Sequence, residues 1–225
     1  SEMCIRDSVE ARERQAAVNA LGELKASGEV TNLVKMLVAG NLGPEIQLEV
    51  MEAAQALGID EGLSSLLASR TNILDPQSYR ECLTGGDAKA GKSVFMNHIA
   101  AQCIRCHKVT DGKGSIVGPN LKNTAAKGRY HLLEALIAPQ KTITNGYGNI
   151  SLTLTDGSTV TGQFRKETGT HIVVRDAISR KETKVAKSEI AEKSDVLSVM
   201  PPMGAILNRR ELRDVMEYLM TLRDS

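Results

Sequence analysis

Tryptophan is absent from this 225-residue sequence, and aromatic residues make up only 3% of it. A core must therefore be built mainly from Leu, Ile, Val, Ala and Met. Cysteine is scarce too, and four residues are too few for a disulfide scaffold. There is no run of about 18 apolar residues, so no segment reads as a membrane-spanning helix. Charge of one sign does not dominate either: the formal net charge of +1 argues against a chain-wide nucleic-acid surface. What remains is ordinary for a globular protein, with 41% hydrophobic and 24% charged residues in a length that suits one large domain or two small ones.

Residues 3 to 7, Met-Cys-Ile-Arg-Asp, back-translate to ATG-TGT-ATA-AGA-GAC, a transposase end sequence used in preparing sequencing libraries. Residues 1–8 are therefore expected to be adapter read-through rather than an ordinary N-terminus. On that expectation Cys4 drops out of the cysteine arithmetic. On the same expectation a missing signal sequence would carry no meaning, because the natural start would lie upstream.

Charge is unevenly divided. Residues 1–90 carry 8 Lys+Arg and 14 Asp+Glu (8 − 14 = −6), and residues 91–225 carry 20 and 13 (20 − 13 = +7). The asymmetry suggests two units. Residues 9–84 read as helices. Ala17, Ala20, Leu21 and Leu24 share one helical face, and Val30, Leu33, Val34, Leu37 and Val38 another. Pro44 suits a first helical position before Ile46, Val50, Ala53, Ala54 and Leu57, and a shorter piece holds Leu63, Leu66 and Leu67. Short connections between such helices resemble a HEAT-type helical repeat, with a plain bundle as the alternative.

Residues 85–225 form the second unit. Asp87 is a good N-cap for a helix presenting Gly91, Val94, Phe95, His98 and Ile99. Residues 144–192 switch to period two: Ile150, Leu152 and Leu154 alternate, Asp156-Gly157 signals a hairpin, and strands follow near 160–164, 171–175 and 181–186. This block is expected to be a small β-barrel or sandwich inserted between helices. Asn208 and Glu211 have capping-box spacing before a stripe of Leu212, Val215, Met216, Leu219 and Leu222. The fold class is α+β.

Residues 103–107 read Cys-Ile-Arg-Cys-His, the attachment signature of c-type haem. Positions i, i+3 and i+4 share a face of a helical turn. Cys103 and Cys106 can thus form thioethers with the two vinyl groups of one porphyrin, while His107 offers Nε2 to the iron. With four Cys and four His in 225 positions, chance would produce this spacing only about 10⁻³ times per chain. A redox dithiol is one rival, but no strand-loop-helix pattern of the thioredoxin kind surrounds the motif. Half of a zinc site is another, with His98 or His131 as a further ligand, but no second close ligand pair is visible. Otherwise His98 reads as a core residue, and His131 and His171 lack a ligand pattern.

The segment from about Asp87 to Leu222 resembles a class I cytochrome c domain, and more narrowly the haem-binding domain family first recognised in planctomycetes and verrucomicrobia. The residues that carry this resemblance are Gly91 and Phe95, then Cys103, Cys106 and His107. Gly118-Pro119-Asn120-Leu121, Ser198-Val199-Met200-Pro201, Glu211-Leu212 and Tyr218-Leu219 follow in the same order. The resemblance implies that the first and last helices cross at Gly91, with Phe95 and Tyr218 filling the gap. It implies that the Pro119 carbonyl accepts a hydrogen bond from His107 Nδ1, and that Met200 is the sixth iron ligand, with Met203 a pocket side chain. Such family members carry a β insertion before the Met loop.

The same resemblance implies one covalent haem c per chain, an electron-transfer role rather than an enzyme activity of its own, and a periplasmic or extracytoplasmic location. The partner would be a redox protein or a fused dehydrogenase, with no nucleic acid involved. Rival functions are a haem enzyme or sensor with an open sixth site, and a zinc-stabilised interaction module on a helical scaffold. From Cys103 to Tyr130, six basic residues against Asp111 (6 − 1 = +5) form either a solvated loop or a basic ring around the haem edge that steers an acidic partner.

Overall fold

A computed structural model describes residues 2–109 and 112–223, with side chains from residue 10 onward. The adapter expectation for residues 1–8, with Cys4, lies outside the described side chains, and Asp111 lies outside the described residues. The chain is a mixture of helices and one antiparallel sheet.

The first half is helical: α1 (Glu2–Glu23), α2 (Ser27–Val38), α3 (Gln47–Leu57) and α4 (Leu63–Ala68). Pro44 opens not α3 itself but a short 3-10 turn, Pro44–Ile46, that leads into it. Gly58 ends α3 in the left-handed conformation, its N–H returning to the last turn. Val18, Val30, Val34, Leu37, Val50 and Ala54 form the core of this half.

The second half is built on the crossing of α5 (Ala88–Asn97) and α8 (Arg209–Thr221). Asp87 caps α5 by accepting from the N–H groups of Lys89 and Ala90 at 2.7 and 3.0 Å. The Asn208–Glu211 capping box closes both ways, each bond 3.0 Å. Leu212, Val215, Met216, Leu219 and Leu222 are all buried. At the crossing the Phe95 and Tyr218 rings pack with centroids 5.4 Å apart and planes tilted by 59°. The one-turn helix α6 (Cys103–Cys106) and α7 (Arg129–Ile137) complete this layer. Tyr79, Cys82 and Leu83, which precede residue 85, pack in this second core.

Between α7 and α8 the chain forms β1 (Asn149–Leu154), β2 (Thr159–Glu167), β3 (His171–Arg175), β4 (Glu182–Ala186) and β5 (Ile190–Lys193). The expected barrel or sandwich is corrected to a single open sheet in the order β4-β3-β2-β1-β5. Closure would need β4 to pair with β5. Both edges instead carry exposed charges, Glu182 and Lys184 on one and Glu192 and Lys193 on the other, which discourage further pairing. One face buries Ile150, Leu152, Ile172, Val174 and Val185 in a core of its own.

The two halves are joined by buried charge. Glu49 of α3 and Arg213 of α8, 1% and 3% exposed, form a two-pronged pair at 2.6 and 3.0 Å. Beside it Arg210 pairs with Glu52. At this junction, acidic residues of the first half meet basic residues of the second.

Candidate functional site

The Cys-Ile-Arg-Cys-His segment forms a single helical turn. The His107 N–H closes it on the Cys103 carbonyl at 2.9 Å. It is entered through Gln102, held at φ +45° in the left-handed region that a non-glycine residue seldom adopts. The Gln102 side chain stabilises this entry, donating to the Ile99 carbonyl at 2.7 Å and accepting from Arg105 at 2.6 Å.

His107 is fixed from below by residues 117–121. Its Nδ1 lies 2.9 Å from the Pro119 carbonyl oxygen. A carbonyl only accepts, so the ring proton resides on Nδ1 and the lone pair on Nε2. Nε2 has no hydrogen-bond partner among the described residues. Burial pushes the imidazole pKa below its usual range, against an opposing pull from the Pro119 carbonyl, and this favours the neutral ring. Gly118 lies flat against the imidazole. A Cβ there would stand 2.8 Å from Cε1 and 3.0 Å from Nδ1, so any side chain would displace the ring.

The five residues singled out in sequence meet in one place. Cys103, Cys106, His107, Pro119 and Met200 all line the same cleft, together with Met203. Its apolar walls come from Phe95, Leu132, Leu136, Val215 and Leu219. Cys103 is half-buried and Cys106 exposed, and neither is in a disulfide. Burial pushes the Cys103 thiol up to about 11, opposite to the lowered thiolate of a redox dithiol. Cys82, the remaining described cysteine, is buried far along the chain and bonds the Arg209 carbonyl at 3.3 Å.

The two methionines differ in setting. Met203 starts a 3-10 turn, is 2% exposed and belongs to the helical core. Met200 sits in the irregular stretch before it, half-buried, its N–H bonded to Ser198 Oγ at 3.2 Å. His131, which has no ligand pattern in sequence, also lines the cleft, as do Ile143, Thr144 and Tyr147 from the segment ahead of β1. Leu132 and Leu136, an i, i+4 pair on α7, form one wall of the cleft. His98 ends α5, its Nδ1 accepting from the Ala101 N–H at 3.0 Å. His171 is exposed on β3.

Among the described residues no group of three or more His, Cys, Asp and Glu side chains converges as a metal site. Among them, too, no helix is long and apolar enough to cross a membrane. No family model matches the chain. No curated protein matches it either.

Proposed function

We propose that residues 85–225 are a monohaem c-type cytochrome domain that carries electrons, set behind a HEAT-like helical part. One observation carries this reading. Two cysteines from one helical turn, an imidazole whose Nδ1 meets the Pro119 carbonyl and whose Nε2 has no hydrogen-bond partner among the described residues, and a methionine line one largely apolar cleft. The donor set fits covalent haem c: two thiols for thioethers, a nitrogen and a thioether sulfur to hold the iron, and walls that are largely apolar, with Lys122 and Lys127 also lining the cleft.

Bound there, haem supplies a one-electron iron couple. The chain's own residues do the rest. Cys103 and Cys106 would anchor the group, and Pro119 would orient His107 and make it a better donor. Met200 would occupy the sixth position and keep other ligands out, while the apolar walls exclude water. The proposed setting is extracytoplasmic, between a partner or fused dehydrogenase and a respiratory acceptor.

A pyridine haemochrome spectrum of protein made together with a haem-attachment machinery tests this directly. One covalent haem per chain is expected, and none in the Cys103→Ala/Cys106→Ala variant. A wild-type protein without covalent haem would sink the reading.

The sixth ligand is tested separately. Met200→Ala is expected to abolish the weak near-infrared charge-transfer band of methionine-ligated ferric haem. Met203→Ala, which removes a core side chain, should keep the band and cost about 2–5 kcal/mol of stability instead. The reverse pattern would transfer the assignment to Met203.

A further inference from the structure

We propose that Gln163, in the β insert, is a positioning residue for His107. It holds the 117–119 loop where the Pro119 carbonyl meets the imidazole. The inference rests on the reading of His107 as the iron ligand, although the clamp itself belongs to the chain.

Gln163 lies on β2 and is 1% exposed. A carboxamide so buried is costly unless its groups are bonded. Its Nε2 donates to the Val117 carbonyl at 2.7 Å. Its Oε1 accepts from Arg175, at 2.8 Å from Nη2 and 3.3 Å from Nε, and from Arg180 Nη1 at 3.4 Å. The orientation of the amide is unambiguous: a carbonyl only accepts and a guanidinium only donates. Arg175 also donates to the Gly146 carbonyl at 3.3 Å, and Arg180 to the Ile116 carbonyl at 3.5 Å. The insert therefore grips the loop under His107 and the segment ahead of β1 at the same time.

The far side of that loop is bonded to the haem motif. Gly118 N–H donates to the Cys106 carbonyl at 2.6 Å, and Leu121 N–H to the Lys108 carbonyl at 2.8 Å. The Val117 carbonyl and the Gly118 N–H belong to one peptide plane. That plane is held by Gln163 at one end and by Cys106 at the other. Its orientation sets where Pro119, the next residue, presents its carbonyl. A Cβ on Gly118 would stand 2.8 Å from His107 Cε1 and 3.1 Å from the Cys106 carbonyl oxygen, so this peptide packs directly against the ring.

Gln163→Glu isolates the effect. The glutamate keeps an acceptor for Arg175 and Arg180 but cannot donate to Val117. In the full 15N-labelled chain, reduced if it carries haem, NMR can follow exchange of the Gly118 amide and the His107 Nδ1 proton. Both are expected to exchange about tenfold faster in the variant, as for loss of one hydrogen bond. The amides of Val174 on β3 and Leu219 on α8 should keep their wild-type rates. Unchanged rates at Gly118 and His107, or equal acceleration at all four sites, would overturn the proposal.

Should Gln163→Glu fail to fold, Arg180→Gln at a partly exposed position cuts the outer part of the same network. A smaller acceleration at the same two protons is then expected, and none would count equally against the clamp. These rates are measurable with or without haem. Wild-type protein lacking covalent haem defeats the haem reading, whereas unchanged rates in haem-bearing protein defeat the clamp alone.

Discussion

Adding one methyl group at Gly91 is expected to destabilise the second half by about 3 kcal/mol or more. Helix propensity alone points the other way, since alanine is favoured over glycine inside a helix by about 1 kcal/mol. The deciding effect is steric. A Cβ on Gly91 would land on the Asp214 carbonyl oxygen of α8, and one on Gly86 would meet the Arg213 carbonyl. These are backbone atoms of a helix pinned on both sides, so they cannot swing away as a side chain would. The crossing is further tied by Asp214 Oδ1, which accepts the Asp87 N–H at 2.7 Å. Separating α5 from α8 would also part Phe95 from Tyr218. Overpacking of this kind costs more than propensity returns. Gly91→Ala should lower the melting temperature by roughly 6–12 °C in calorimetry. A raised melting temperature would mean that the two helices do not approach this closely in solution.

The second large effect is expected at the junction of the halves. Arg213→Met leaves the Glu49 carboxyl almost fully buried and without its two-pronged partner. Breaking a buried pair from one side costs about 3–5 kcal/mol. Arg210 stands 3.6 Å from Glu49 but is also drawn to Glu52, so it compensates only in part. The expected loss is therefore near the lower end, about 3 kcal/mol by chemical denaturation. Glu49→Leu combined with Arg213→Met should recover most of it, because no charge is then left stranded. A loss below about 1 kcal/mol in the single variant would place Glu49 in contact with water.

Local signals in the sequence were sufficient for some parts of this structure. The Asn208–Glu211 box and the Leu212-to-Leu222 stripe mark α8 because cap and period both lie within a few residues. Asp87 marks α5 for the same reason. The residues expected at the site meet because Cys103, Cys106 and His107 are one turn apart and Pro119 lies on the next loop. Features that depend on distant partners were not legible. Ile190–Lys193 offers almost no alternation, and whether β4 meets β5 is a property of edges, not of periodicity. The buried Glu49 lies on a helix whose period shows only that apolar residues surround it. The Gln163 bond to Val117 spans 46 residues, and a single polar residue within a strand does not reveal a partner so far away. The charge asymmetry suggested two units, while the structure gives part of it a further meaning, as attraction between them.

The insert enters and leaves at one point. Asn149 and Leu197 bond each other twice, N–H to carbonyl at 2.7 and 2.9 Å, so the chain departs and returns side by side. From the helices, the excursion is equivalent to a tight turn, and loop-closure entropy rises only slowly with the length enclosed. Such a gate lets a module be lengthened, shortened or exchanged without re-registering α7 or α8. What an exchange would carry with it is Gln163. Grafting a different sheet at this gate would be a way to retune the surroundings of His107 while leaving every helical residue in place.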